Sequence, residues 1–185
     1  EEAEVPAVVS RIGNIHMKGF VKGTGIDDLV TNSQIDTDAG DVDVTLVMDK
    51  QRKFSSKVNA EAIDLARLLA NEKFGLVSTG IDLEGQLGGA AKTVVHAKGL
   101  VKQFDYNGYT FQNINLDGSY DQLGFRGTMD IDDPHLKLNI DGLAERHGAN
   151  YDVQLTTAID HFSPQATHIS DKWPNTVFSA NLTAD

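Results

Sequence analysis

A chain of 185 residues, 40% hydrophobic and 23% charged, has room for one all-β domain with a sizeable interior and is too apolar for a disordered segment. Its 27 acidic residues against 16 basic ones leave a net charge of −11, spread along the chain, which disfavours nucleic acid and docking on an anionic membrane through a basic patch. There is no cysteine, so disulfides, thiolate chemistry and cysteine-built zinc sites are excluded.

The chain opens with EEAEVPAVV, which has neither the basic nor the apolar region of a signal peptide, and position 1 is not Met. No apolar run reaches the roughly 18 residues of a membrane span. The expectation is that residues 1–185 are a single segment excised from a longer protein, with any anchor outside it. Gly, Asn and Asp punctuate the rest of the chain at short intervals, as antiparallel hairpins require. The predicted strands are Asn14–Gly25, Leu29–Asp36, Asp41–Asp49, Lys53–Ala60, Gly75–Leu87, Thr93–Phe104, Tyr109–Tyr120, Leu123–Asp132, His135–Leu143, Asn150–Ile159 and Thr176–Thr183.

Side chains alternate between the two faces of a strand. In VSTGIDLEGQL this puts Val77, Thr79, Ile81, Leu83, Gly85 and Leu87 on one face. The pattern recurs with Leu123, Phe125, Gly127, Met129 and Ile131, with Leu136, Leu138 and Ile140, and with Tyr151, Val153, Leu155, Thr157 and Ile159. Asn107-Gly108 is the strongest turn signal, because both residues tolerate the positive φ of a type I′ turn. Asp121-Gln122 makes a tight connection, and Asp132-Asp133-Pro134 ends a strand. Most turns are too short for parallel crossovers, so the sheet is an antiparallel meander.

Two segments break the rhythm. NAEAIDLARLLAN (Asn59–Asn71) spaces Leu65, Leu68 and Leu69 as a helix does, which predicts one short helix near 60–70. Phe162–Asp171 is a looser break around Pro164. Each break follows a strand that runs into Ala-Ile-Asp and later re-enters a strand, a weak internal repeat. A sheet of about ten strands with one apolar face cannot leave that face in water. It must curl on itself, cap itself with the helix, or cover the face with a ligand.

Reactive constellations are sparse. Asp36, Asp38, Asp41 and Asp43, clustered around a Gly, are the best calcium candidates, but they lack the distal Glu of an EF-hand and are read first as a hairpin turn at Ala39-Gly40 with solvated acids. Asp130, Asp132 and Asp133 are read as a strand end. The six histidines show no HxH or HExxH spacing, and neither a GxSxG elbow nor a phosphate-cradling GxxxxGK[ST] occurs. Asn181-Leu-Thr183 is a glycosylation sequon only in a secreted eukaryotic setting. The aromatics Tyr106, Tyr109, Phe111, Tyr120 and Phe125 line either a lipid or sugar site or a cross-strand core. No metal, cofactor or catalytic residue is expected.

Tyr106–Glu145 (YNGYTFQNINLDGSYDQLGFRGTMDIDDPHLKLNIDGLAE) resembles the TamB (translocation and assembly module) family in its Bacteroidetes-type form, and Lys53–Gln86 resembles the wider AsmA-like superfamily. The resemblance implies an internal segment of a long, inner-membrane-anchored protein that crosses the periplasm. It implies a taco-like β-groove with a hydrophobic interior. It also implies a role in outer-membrane biogenesis, as a phospholipid conduit or as a scaffold for outer-membrane protein assembly and translocation across the cell envelope. The partners implied are phospholipid acyl chains and an outer-membrane assembly protein met through regions outside this segment.

On this reading the groove lining is Val77, Ile81, Leu83, Phe125, Met129, Leu136, Leu138, Ile140, Val153 and Leu155. The same residues equally form a closed core. Two competing readings stand beside it: a closed β-sandwich or jelly roll binding carbohydrate or protein at its loops, and a hydrolase using paired Asp.

Overall fold

The computed structural model describes residues 7–25, 28–88, 93–121, 123–147 and 150–184. Helix α1 (Ala7–Ile12) leads into β1 (Ile15–Gly25), β2 (Asp28–Thr37), β3 (Gly40–Met48) and β4 (Lys53–Asp64). Helix α2 (Leu65–Leu69) follows, then β5 (Phe74–Gln86), β6 (Val94–Tyr106), β7 (Tyr109–Asp121), β8 (Gly124–Asp133), β9 (Leu136–His147), β10 (Asn150–Phe162) and β11 (Phe178–Ala184). All eleven strands form one sheet in chain order, antiparallel throughout and not closed into a barrel. The extensive contacts between strands are all between consecutive ones, so among the described residues no second layer of strands lies on the sheet.

Local chemistry accounts for the turns. Asn107 and Gly108 take φ of 52° and 78°, the pair of positive values a two-residue hairpin needs. Gly40, at φ 120°, closes the β2–β3 hairpin. Gln122, of the expected Asp121-Gln122 turn, lies outside the described residues; the strands it joins pair through Asp121 and Gly124. The helix is shorter than expected. β4 continues to Asp64, because Ala60 pairs with Thr79 and, past a bulge, Ile63 pairs with Val77. The Asp64 side chain then caps α2 by accepting the Arg67 N–H at 2.9 Å, and Ala70 ends the helix in the left-handed region. Helix α1 has no counterpart among the predicted elements.

The two faces differ in chemistry. Outward side chains form ladders of alternating charge, with Lys57 to Asp82 at 2.9 Å, His96 to Asp117 at 2.8 Å and Lys137 to Asp132 at 3.6 Å. Each such exposed pair stabilises by roughly 0–1 kcal/mol. Inward residues are mostly apolar. The core proper is Phe111, Ile114, Ile131 and Leu136, with Val101, Phe104, Tyr106, Tyr109, Met129, Leu138 and Phe162 packed on it. Burying each large side chain contributes about 1.5–3 kcal/mol.

That core sits along one rim of the sheet, and the long connections explain why. The β4–β5 link carrying α2 and the β10–β11 link, residues 163–177, both leave from this rim, where α1 also lies. The second link folds into a compact loop: Thr167 is wholly buried and its hydroxyl donates to the Ser163 carbonyl at 3.0 Å. It then reaches the β6–β7 turn, where the Asn107 amide donates to the His168 carbonyl and the Tyr109 and His168 rings meet edge to face. Bulges in β4, β5–β6 and β10 cluster toward the same rim and increase the local twist. Both Ala-Ile-Asp breaks fall at these bulges, in β4 and β10.

Candidate functional site

The candidate site is the inner face, and strand register builds it row by row. One row runs Gly19, Ser33, Val44, Val58, Ile81, Gly99, Leu116, Met129, Ile140, Thr157, Leu182, across all eleven strands. The next carries Leu83, Ala97, Gly118, Gly127, Gly142 and Leu155. A third carries Tyr120, Phe125, Ala144 and Val153. Val77, Leu138 and Leu136 fall in the rows nearer the covered rim. All ten residues of the expected lining therefore share one face, because antiparallel partners point the same way.

Burial divides them. Leu136 is 8% exposed, and Met129 and Leu138 pack against the same core, so these three fill the covered rim rather than an open surface. Val77, Ile81, Leu83 and Ile140 are half-buried. Leu155, Phe125 and Val153 are 40%, 51% and 54% exposed. Among these ten residues exposure thus rises from the covered rim to the free one in β8, β9 and β10. The result is a trough with a packed margin and an apolar wall open to solvent, not the dry interior of a closed sandwich.

Small residues shape the trough floor. A Cβ on Gly118 or Gly127 would meet the Phe125 ring at 3.1 or 3.0 Å, so that ring lies over two strands whose side chains are absent. The aromatics expected as one group are split accordingly. Tyr109 and Phe111 stack edge to face at 4.7 Å within the core, whereas Tyr120 and Phe125 stand exposed toward the free rim.

The Asp36–Asp43 cluster is a hairpin. Asp36 and Asp41 pair across it, Asp43 pairs with Gln34, and Asp38 turns to the start of β1. The Asn14 backbone N–H, foremost, holds the Asp38 carboxyl below its usual range against the opposing effect of desolvation, with the Asn14 amide and the Arg67 guanidinium adding to the lowering. Among the described residues no three His, Asp or Glu side chains assemble as a metal-holding group.

One polar site was not legible as such. Asp133, read as strand punctuation, is 2% exposed and accepts three hydrogen bonds: from the Tyr109 hydroxyl, from the Gln112 N–H at 3.2 Å and from the His135 N–H at 2.9 Å. Burial, reinforced by this carboxylate, pushes the Tyr109 hydroxyl pKa well above its ordinary value. The fully partnered carboxylate ties the β6–β7 hairpin to the β8–β9 turn. Comparison of the chain with family models, curated proteins and solved structures returns no match.

Proposed function

We propose that the inner face shelters lipid acyl chains, and that the chain is a non-catalytic segment of a longer TamB/AsmA-like periplasmic protein anchored in the inner membrane. In that role it serves outer-membrane biogenesis as a phospholipid conduit or as a scaffold for outer-membrane protein assembly, its outer-membrane partner being met by other parts of the protein. The observation that carries the reading is the apolar face itself. It runs through eleven strands, is covered along one rim and leaves Tyr120, Phe125, Val153 and Leu155 in solvent. Exposed apolar patches beyond a few hundred Å² are uncommon on isolated proteins. Acyl chains fill such a trough by non-directional burial and demand no particular polar residue, in keeping with a lining that is mostly hydrocarbon and glycine with a few hydroxyls and no charged side chain among the paired rows.

The test is site-specific photo-crosslinking in cells that make the full-length protein. Probes at Ile81 and Phe125 face the trough, and probes at Asp82 and Arg126 on the same strands face outward. Phospholipid adducts at the first pair only are the expected result. Equal labelling of both pairs, or none at the first, sinks the reading.

A further inference from the structure

The charge ladders of the outer face are nearly complete within the sheet and unfinished at its first edge. Lys57, Lys98, Lys102 and Lys137 each lie within 4.0 Å of a carboxylate. Among the described residues of β2–β10 the one lysine without such a partner is Lys53, the first residue of β4. The edge strand β1 carries two more, Lys18 and Lys22, which point outward together with Phe20. Lys18 is opposite Gln34 and Lys22 opposite Val30, so neither finds an acid across from it on β2. Lys22 rests over the Phe20 ring instead, 5.0 Å from its centre. Every residue of β1 is exposed, Met17 and Val21 on its inward side at 63% each. Among the described residues β1 pairs with β2 alone, so half of its backbone N–H and C=O groups point along the edge with no strand to meet them. Lysines on such an edge repel strands that cannot answer their charge.

We propose that β1 accepts one further, antiparallel strand from an acidic polypeptide partner, an extended segment that alternates apolar residues with Asp or Glu. The proposal concerns the edge of the sheet and does not depend on what fills the trough. In an antiparallel pair the residues opposite Lys18 and Lys22 share one face of the incoming strand, so acids at those two positions meet both ammonium groups and finish the ladder. The positions between them turn inward beside Met17, Gly19 and Val21 and prolong the apolar rows. Main-chain hydrogen bonds then supply affinity and the alternating side chains supply specificity. A second copy of the chain does not fit. Two β1 strands paired about Phe20 set Lys18 against Lys22, like charge on like, and β11 has no acidic residue from Phe178 to Ala184.

Fluorescence anisotropy of the purified chain with labelled peptides tests it. The probes are a short peptide alternating valine with glutamate, the same peptide with lysine for glutamate, and the glutamate peptide N-methylated along its backbone. The glutamate peptide is expected to bind and the other two to fail, the last because it cannot join the ladder. Reversing both edge charges, Lys18→Glu with Lys22→Glu, weakens the glutamate peptide about tenfold or more and lets the lysine peptide bind. Lys50→Glu, in the β3–β4 turn, leaves both unchanged. If the reversed variant fails to fold by circular dichroism, Lys18→Gln with Lys22→Gln gives the same loss without the gain. No binding of the glutamate peptide by the native chain overturns the proposal. So does affinity that survives removal of both edge lysines or falls with Lys50→Glu. Equal binding of the N-methylated peptide rules out strand addition and overturns it too. A peptide copying residues 15–25 that binds as tightly as the glutamate peptide makes the edge self-pairing, with the same consequence.

Discussion

Asp133 and Tyr109 are the pair on which single substitutions act most sharply. Asp133→Ala strips the acceptor from three donors in a nearly dry place. The expected cost is about 3 kcal/mol or more, read as a lower urea midpoint with an unchanged slope. Tyr109 carries the pH dependence. Its folded pKa is raised above the unfolded value near 10, so its contribution is complete below about pH 10 and is lost as pH rises beyond that. Melting temperature is expected to fall in that alkaline window, and Tyr109→Phe flattens the fall while costing about 1 kcal/mol at neutral pH, because Asp133 loses a donor. The turn role of Asp133 is readable in Asp133-Pro134-His135, where the carboxylate accepts the N–H two residues on. Its burial is not, because its distant partners, the Tyr109 hydroxyl and the Gln112 N–H, come from β7.

Secondary structure was the most legible level, and the exceptions have physical causes. The eleven predicted strands all exist, with ends shifted by a few residues at most, because period-two alternation is a local property that survives in any sheet. The helix was oversized because Ala60 and Ile63 suit either pattern, and their cross-strand partners Thr79 and Val77 hold them in β4. The cost of that arrangement is visible at Ala62, forced to φ 50° in the bulge. The left-handed region costs a non-glycine residue about 1–2 kcal/mol, and glycine adds about 0.5–1 kcal/mol of unfolded-state entropy. Ala62→Gly is therefore expected to raise stability by about 0.5–1 kcal/mol in thermal or urea unfolding. An unchanged or lower midpoint contradicts the strain at this bulge.

Across the molecule, the two rims behave differently under the same insult. Phe125→Asp or Val153→Asp at the exposed end of the trough is expected to cost under about 1 kcal/mol, since the new carboxylate remains hydrated. Ile131→Asp, in the covered core, places an unpaired charge among Phe111, Ile114 and Leu136 and is expected to cost more than about 4 kcal/mol or to abolish cooperative unfolding. Equal costs at the two rims are incompatible with an open trough.

The amino-acid order alone determined that the chain is an antiparallel meander with one apolar face, and it placed all ten expected lining residues on that face. Alternation and turn chemistry act between residues a few positions apart, so they can be read without knowing the fold. Tertiary structure decided which of those residues are core and which are wall. The loop after β10 meets the β6–β7 turn across 61 positions of sequence, and Arg67 meets Arg11 across 56. Coverage of one rim depends on such distant contacts and on bulges that bend the strands toward them. No local pattern distinguishes Leu136, sealed beneath that cover, from Leu155, left open at the other side.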